Sequence, residues 1–212
     1  MSSHIKAIIN TRKREMTRSQ EIRIRKHLNA DALLNTMRTG FAGIRDHRSG
    51  AVTHTLADSL MAGFAMFSLK DPSLLAFDER RFRGPHNLMT IYGMGSIPCD
   101  SSIRDILDGV DPNDLRPLFK DAFRQLQRGK VIEKYVFMED SYLLNLDGTG
   151  YFSSKTLHSD ACLQKRNKKT GEITYYLQMV GAAMVHPDKK EVISFAPETI
   201  RRQDGETKMD CE

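Results

Sequence analysis

Residues 142–154 read Tyr-Leu-Leu-Asn-Leu-Asp-Gly-Thr-Gly-Tyr-Phe-Ser-Ser. They lie where the chain changes its period. Before residue 130, apolar residues recur every three or four positions. After residue 135, short apolar runs bounded by turn residues replace them. Tyr142-Leu143-Leu144-Asn145-Leu146-Asp147 is such a run, closed by a carboxylate and followed by Gly148-Thr149-Gly150 and Tyr151-Phe152. Residues 174–186 (Thr-Tyr-Tyr-Leu-Gln-Met-Val-Gly-Ala-Ala-Met-Val-His) read as a long second strand, ended by Pro187-Asp188. Val192-Ile193-Ser194-Phe195-Ala196 reads as a third, reached through the tight turn Asp188-Lys189-Lys190. A polar loop, Lys165 to Gly171, separates the first two. The pattern predicts a three-stranded antiparallel β-meander.

N-terminal to it, most of residues 29–130 reads as helical. Val52, Leu56, Leu60, Phe64 and Phe67 recur at spacings of four and three, and Met61, Ala65 and Met66 widen the apolar face. A helix over 52–69 that is apolar around most of its girth is a buried one. Asp71-Pro72 stops it, and Ser73 is a good N-cap for a short helix through Leu74, Leu75 and Phe77. A helix from Asp31 carries Leu33, Leu34 and Met37 on one face, and Asp46 to Gly50 reads as a loop. In 114–128, Leu115, Leu118, Phe119, Ala122, Phe123 and Leu126 share a face, and Gly129 is placed as the C-terminal cap. Helices over Asn87–Tyr92 and Ser101–Leu107, joined by Met94-Gly95-Ser96-Ile97-Pro98, have the outline of a helix-turn-helix. Ser101, Ser102 and Arg104 then sit in its second helix's first turn, where such helices meet DNA. Two short helices joined by a turn also occur in any helical domain. The fold class expected is α+β: a basic arm over 1–28, a helical domain over 29–130, and a sheet domain from 131 to 212.

The chain has 212 residues, 40% hydrophobic and 28% charged, enough for a packed core and against wholesale disorder. The longest apolar stretch, Leu60 to Phe67, is too short to span a bilayer. With no signal peptide and only three cysteines (Cys99, Cys162, Cys211), the sequence reads as a membrane-free, cytoplasmic chain. The net charge of +5 is unevenly spread. Residues 1–50 hold 11 Lys/Arg against 4 Asp/Glu, residues 51–130 balance at 10 each, and residues 131–212 hold 11 against 13. The excess, including Arg12, Lys13 and Arg14, therefore sits in the first quarter, where it favours a polyanion such as nucleic acid or forms a solvated tail.

Asp147 is the residue of chemical interest. A carboxylate at the end of an apolar strand, next to a glycine, offers a hard oxygen ligand of the kind Mg²⁺ or Mn²⁺ prefer, although Asp-Gly is also a common turn pair. His158 and Cys162 have no second pair at zinc spacing. Cys99 and Cys211 read as buried small residues, since no His or Lys partner is evident.

The stretch Leu144 to Ser154 closely resembles the first catalytic-aspartate strand of bacterial insertion-sequence transposases of the DDE superfamily. The resemblance extends to His54–Glu79, to Ile97-Pro98-Cys99-Asp100, and to Tyr175-Tyr176 with Gln178-Met179. It continues through Val185-His186-Pro187-Asp188, Ala196-Pro197-Glu198 and Gln203-Asp204-Gly205. It covers roughly 25–212; residues 1–24 fall outside it. It implies an RNase H-like catalytic domain in which two aspartates and a glutamate hold two divalent ions, Mg²⁺ or Mn²⁺, for in-line displacement at a phosphodiester. Asp147 matches the first acid. The second aspartate and the glutamate belong on a fourth strand and a later helix, beyond Glu212. Asp210 and Glu212 come too early to stand for them. Leu177 and Met209 stand where the family carries His and Asn. The expectation is thus an N-terminal transposase fragment, inactive alone. The alternatives are a non-catalytic DNA-binding regulator of transposon ends and the product of a decayed gene. The partners implied are double-stranded DNA of insertion-sequence ends and either a second copy or a full-length transposase, in the bacterial nucleoid.

Overall fold

In the computed structural model the residues described are 18–159 and 162–200. Among them are seven α-helices followed by a five-stranded antiparallel sheet, so the class is α+β with the helices first. The helices are α1 (Arg18–Leu28), α2 (Ala30–Ala42), α3 (Leu56–Ser68), α4 (Leu74–Arg83), α5 (Pro85–Ile91), α6 (Asp100–Asp108) and α7 (Arg116–Arg128). The strands are β1 (Leu143–Ser154), β2 (Leu163–Arg166), β3 (Ile173–Val185), β4 (Ile193–Ser194) and β5 (Glu198–Ile200). The chain divides into two compact units. One comprises the helices up to Leu107 with Arg124–Val131; the other comprises Asp108–Phe123 and the chain from Ile132 onward. The cut falls inside α7. No helix among the described residues is long and apolar enough to cross a membrane.

The helical unit is built around α3. Leu56, Leu60, Met61, Ala62 and Ala65 are buried there, as are Phe77 of α4, Leu88 of α5, and Ile103 and Ile106 of α6. Each large side chain among these contributes about 1.5–3 kcal/mol by leaving water. Helix α3 begins at Leu56 rather than near Val52, because Thr55 caps it by accepting the Asp58 amide. Val52, left outside, and Phe67, at the helix's far end, are exposed rather than core. A Cβ on Gly63 would meet Leu107 Cδ1 at 3.2 Å, so this glycine lets α6 lie close to α3. Gly129 ends α7, but the left-handed residue is Lys130 (φ 59°). Gly129 is required for another reason: a Cβ there would overlap the Leu28 side chain at 2.3 Å.

Asp58, in the first turn of α3, is buried and ties three segments together. Its Oδ1 accepts from Arg38 Nη1 of α2 (3.3 Å) and from the Gly95 amide (3.2 Å), and its Oδ2 accepts from the Ser96 amide (3.3 Å). His54 Nδ1 bonds Ser96 Oγ at 2.9 Å, fixing the same turn from the other side.

In the second unit every strand pairs with β3. Strand β1 runs along one edge, from Leu143↔Val185 to Ser154↔Tyr175. Since β1 fills that edge over the whole stretch, the others share the opposite one: β2 beside 173–176, β5 beside 178–180 and β4 beside 183–184. The three strands read from the sequence correspond to β1, β3 and β4, adjacent in that order, and they do form a meander. Two short strands add to it. Strand β5 continues β4 after an interruption at Ala196-Pro197, where proline lacks an N–H for the ladder. Strand β2 occupies the start of what reads as a polar loop.

Met184, Ile193 and Ile200 lie on one face of this sheet and are buried with Leu118, Ile132 and Tyr135. Phe123 of α7 meets Phe195 at 5.5 Å between ring centres, and Arg116 pairs with Glu198. The first two turns of α7 are thereby fastened to the sheet.

Replacing Asp58 by Ala orphans two backbone amides and a half-exposed arginine. Since Arg38 retains access to water, the loss is expected near the low end for a broken buried pair, about 3 kcal/mol. A urea denaturation of the variant measures it, and a loss under 1 kcal/mol would refute the role given to Asp58.

Candidate functional site

Asp147 does not close β1. It is the fifth of twelve strand residues, opposite Gly181, and the strand continues through Gly148 (opposite Val180) and Gly150 (opposite Gln178). Neither glycine takes a left-handed conformation. The long β3 offers an unbroken ladder here, and ladder hydrogen bonds override the turn tendency of Asp-Gly. The real irregularity comes later, at a bulge at Tyr151, after which Phe152 pairs with Leu177.

Antiparallel register assigns each residue to a face, since directly opposed residues share one. Asp147 shares its face with Asn145 and Thr149 of its own strand and with Met179, Gly181 and Ala183 of β3. Ser194 of β4 and Thr199 of β5 lie there too. Asn145, Thr149, Ala183, Ser194 and Thr199 are short or polar and Met179 is the larger apolar member, with no side chain opposite the carboxylate because Gly181 has none. Asp147 is exposed on this face. Leu144 and Leu146 lie on the reverse face with Met184 and Ile193, but they remain 50% and 66% exposed.

A two-ion centre needs several carboxylates converging on one place. Among the described residues no group of three or more His, Cys, Asp or Glu side chains is placed to hold a metal. Asp147 can supply one ligand, and no phosphoryl-transfer step is assigned to the described residues. Asp210 and Glu212 lie outside the described residues, as do Met209, Cys211 and the basic residues Arg12, Lys13 and Arg14.

The two helices of the helix-turn-helix outline are present as α5 and α6, and the turn between them is held by Asp58. Arg104 and Ser101 are exposed and Ser102 half-buried. Both serines, however, are engaged: Cys99 Sγ is 3.4 Å from Ser101 Oγ and 3.2 Å from Ser102 Oγ. Cys99 directly precedes α6, and its carbonyl accepts the Ile103 amide at 2.8 Å. It is half-exposed, not buried as its small size suggests. Hydrogen bonds from Ser101 and Ser102 favour the thiolate and lower the thiol to about 7, against the opposing effects of desolvation and Asp100. No His or Lys is needed for this, which is why a search for basic partners misses it; the signal was Cys-Asp-Ser-Ser opening a helix. Cys162 is buried beside Ser159, and His158 stacks on Tyr175 at 4.2 Å.

Asp46 is the other perturbed group. Arg48 Nε and Nη2 grip its carboxyl at 2.9 and 2.8 Å and hold it down at about 2. The same guanidinium donates to the His54 carbonyl at 2.9 Å, so the pair shapes the loop before α3.

Compared with protein-family models, with curated proteins and with solved structures, the chain gives no match in any of the three.

Alkylation of Cys99 by iodoacetamide, followed by peptide mass mapping across pH, is expected to reach half its limiting rate near pH 7. The double change Ser101→Ala, Ser102→Ala should move that midpoint up, toward the ordinary thiol value of about 8.5. An unmoved midpoint would remove the serines as the cause.

Proposed function

We propose that this chain is a DNA-holding protein of the DDE transposase type, which on its own binds DNA ends rather than cutting them. One observation carries this reading. The stretch resembling the family's first catalytic strand, Leu144 to Ser154, lies wholly within the first long strand of the sheet, with Asp147 exposed at mid-strand opposite Gly181. The order β1, β3, β4 in antiparallel succession suits the opening of an RNase H-like sheet. The concentration of positive charge in residues 1–50 supports a polyanionic partner.

In this reading Asp147 would be the first acid of a set of three, and Mg²⁺ or Mn²⁺ would gain a full ligand set where further acids join it. When bound, such ions supply an activated nucleophile and stabilise the leaving oxygen. The chain's own part is to hold double-stranded DNA and to contribute Asp147. The partner that completes the set would be a second copy or a full-length transposase, working at insertion-sequence ends in the bacterial nucleoid.

A mobility-shift titration with duplexes carrying the element's terminal repeats tests this. Binding is expected to weaken steeply with salt and to persist in Asp147→Asn, with no Mg²⁺-dependent nicking by the chain alone. Failure to bind at low salt would end the DNA reading. Nicking that disappears in Asp147→Asn would show that the chain cuts by itself.

A further inference from the structure

Residues 163–176 read Leu-Gln-Lys-Arg-Asn-Lys-Lys-Thr-Gly-Glu-Ile-Thr-Tyr-Tyr. Four cations fall within positions 165–169, in a third of the chain where acids otherwise outnumber bases. The segment is the β2–β3 hairpin, and its turn is well tied. Asn167 donates its amide to the Glu172 carbonyl at 2.8 Å and accepts the Gly171 amide at 2.8 Å. Its side-chain oxygen accepts the Lys169 amide at 2.9 Å. Gly171 closes the turn at φ +73°, a conformation that favours glycine. Lys168 and Lys169 therefore project from a shaped turn rather than a loose loop.

The charges are also uncommitted. Glu172, the hairpin's one acid, is taken by Lys155 at 2.9 Å. Among the described residues, no ion pair engages Lys165, Arg166, Lys168 or Lys169. Register sets Lys165 opposite Thr174, and Leu163 and Ser153 on either side of Tyr176, so one face carries a cation and three hydroxyls. There an open groove of about 950 Å³ is lined by Ser153, Lys165, Arg166, Lys168, Thr174 and Tyr176 among others.

Cations spread along a strand and turn, interleaved with hydroxyl donors, match a line of phosphates better than one point anion. The turn, 167–172, has no apolar residue to enter a lipid surface. Tyr176 is the groove's one aromatic ring, whereas single strands are held by successive stacking platforms. Lys165, Thr174 and Tyr176 alternate onto the face opposite to Gly181, whereas Arg166, paired with Ile173, shares Asp147's face but lies at the other end of β3 from Gly181. We propose that this hairpin grips the sugar-phosphate backbone of duplex DNA through Lys165, Arg166 and Lys168, on a segment separate from any that reaches Asp147. The inference rests on the reading of the chain as DNA-holding and adds where a second stretch of DNA is held.

The test is fluorescence-anisotropy titration of the full chain with a random-sequence duplex over a series of KCl concentrations. In the variant Lys165→Gln, Arg166→Gln, Lys168→Gln, the slope of log affinity against log salt should shrink by about 2.5–3, one phosphate contact per lost charge. The charge-keeping variant Lys165→Arg, Arg166→Lys, Lys168→Arg should retain the parent slope. Should the neutral variant lose its cooperative melt, Lys168→Gln alone, confined to the turn, should reduce the slope by about 1. An unchanged slope in the neutral variants overturns the hairpin while leaving DNA binding itself intact. No binding by the parent chain at low salt overturns both. Affinity for an acidic peptide, or for vesicles of anionic lipid, that falls in these variants while duplex binding holds also overturns it.

Discussion

The second unit depends on one ladder. Strands β1, β2, β4 and β5 all pair with β3 and, among the described residues, with no other named strand. Such a centre must be long and bondable on both edges. Thirteen residues without proline, opening on β-branched and aromatic positions, meet that need. Gly181 and Ala183, toward its C-terminal end, keep the surface low where Asp147 lies opposite. In the sheet region proline stays outside the strands: Pro187 follows the end of β3, and Pro197 sits at the joint between β4 and β5, on the edge where a missing donor interrupts without breaking the sheet. A proline placed anywhere in β3 would cost the ladder a bond and part its neighbours.

The helical unit has a polar counterpart to that ladder. Asp58 is a buried carboxylate satisfied by an arginine and two amides, and it converts a glycine-rich turn into a fixed one. A buried charge is tolerated only when so surrounded. The turn between α5 and α6 is thus held through its backbone, which frees the exposed surface of α6 from any structural duty at Arg104.

The sheet unit carries two oppositely charged places. One is the exposed Asp147, opposite Gly181; the other is the cationic β2–β3 hairpin, beside residues 173–176 at the start of β3. The length of β3 separates them, and alternation also turns Lys165 to the other face. A carboxylate and a cation cluster side by side would pair and neutralise each other. Placed apart, each keeps its charge available.

The sequence by itself determined the class, the order of helices before strands, and the three main strands, because burial imposes periods of 3.6 and 2 that survive in the residue pattern. It also marked Asp147 and the stop at Asp71-Pro72, which are local properties. It missed what depends on a partner distant in the chain. Val52 and Phe67 fit the helical stripe but lie outside the core, since packing selects among residues that the period treats as equal. Asp147 reads as a strand end until β3 supplies partners for Gly148 and Gly150. Gly129 reads as a cap until Leu28 is placed against it. Cys99 reads as inert until the first turn of α6 brings two hydroxyls to its sulfur, and Lys165 to Gly171 reads as a plain loop until β3 pairs with its first residues. In each case the deciding term is a long-range contact or hydrogen bond, and only the folded chain fixes which residues meet.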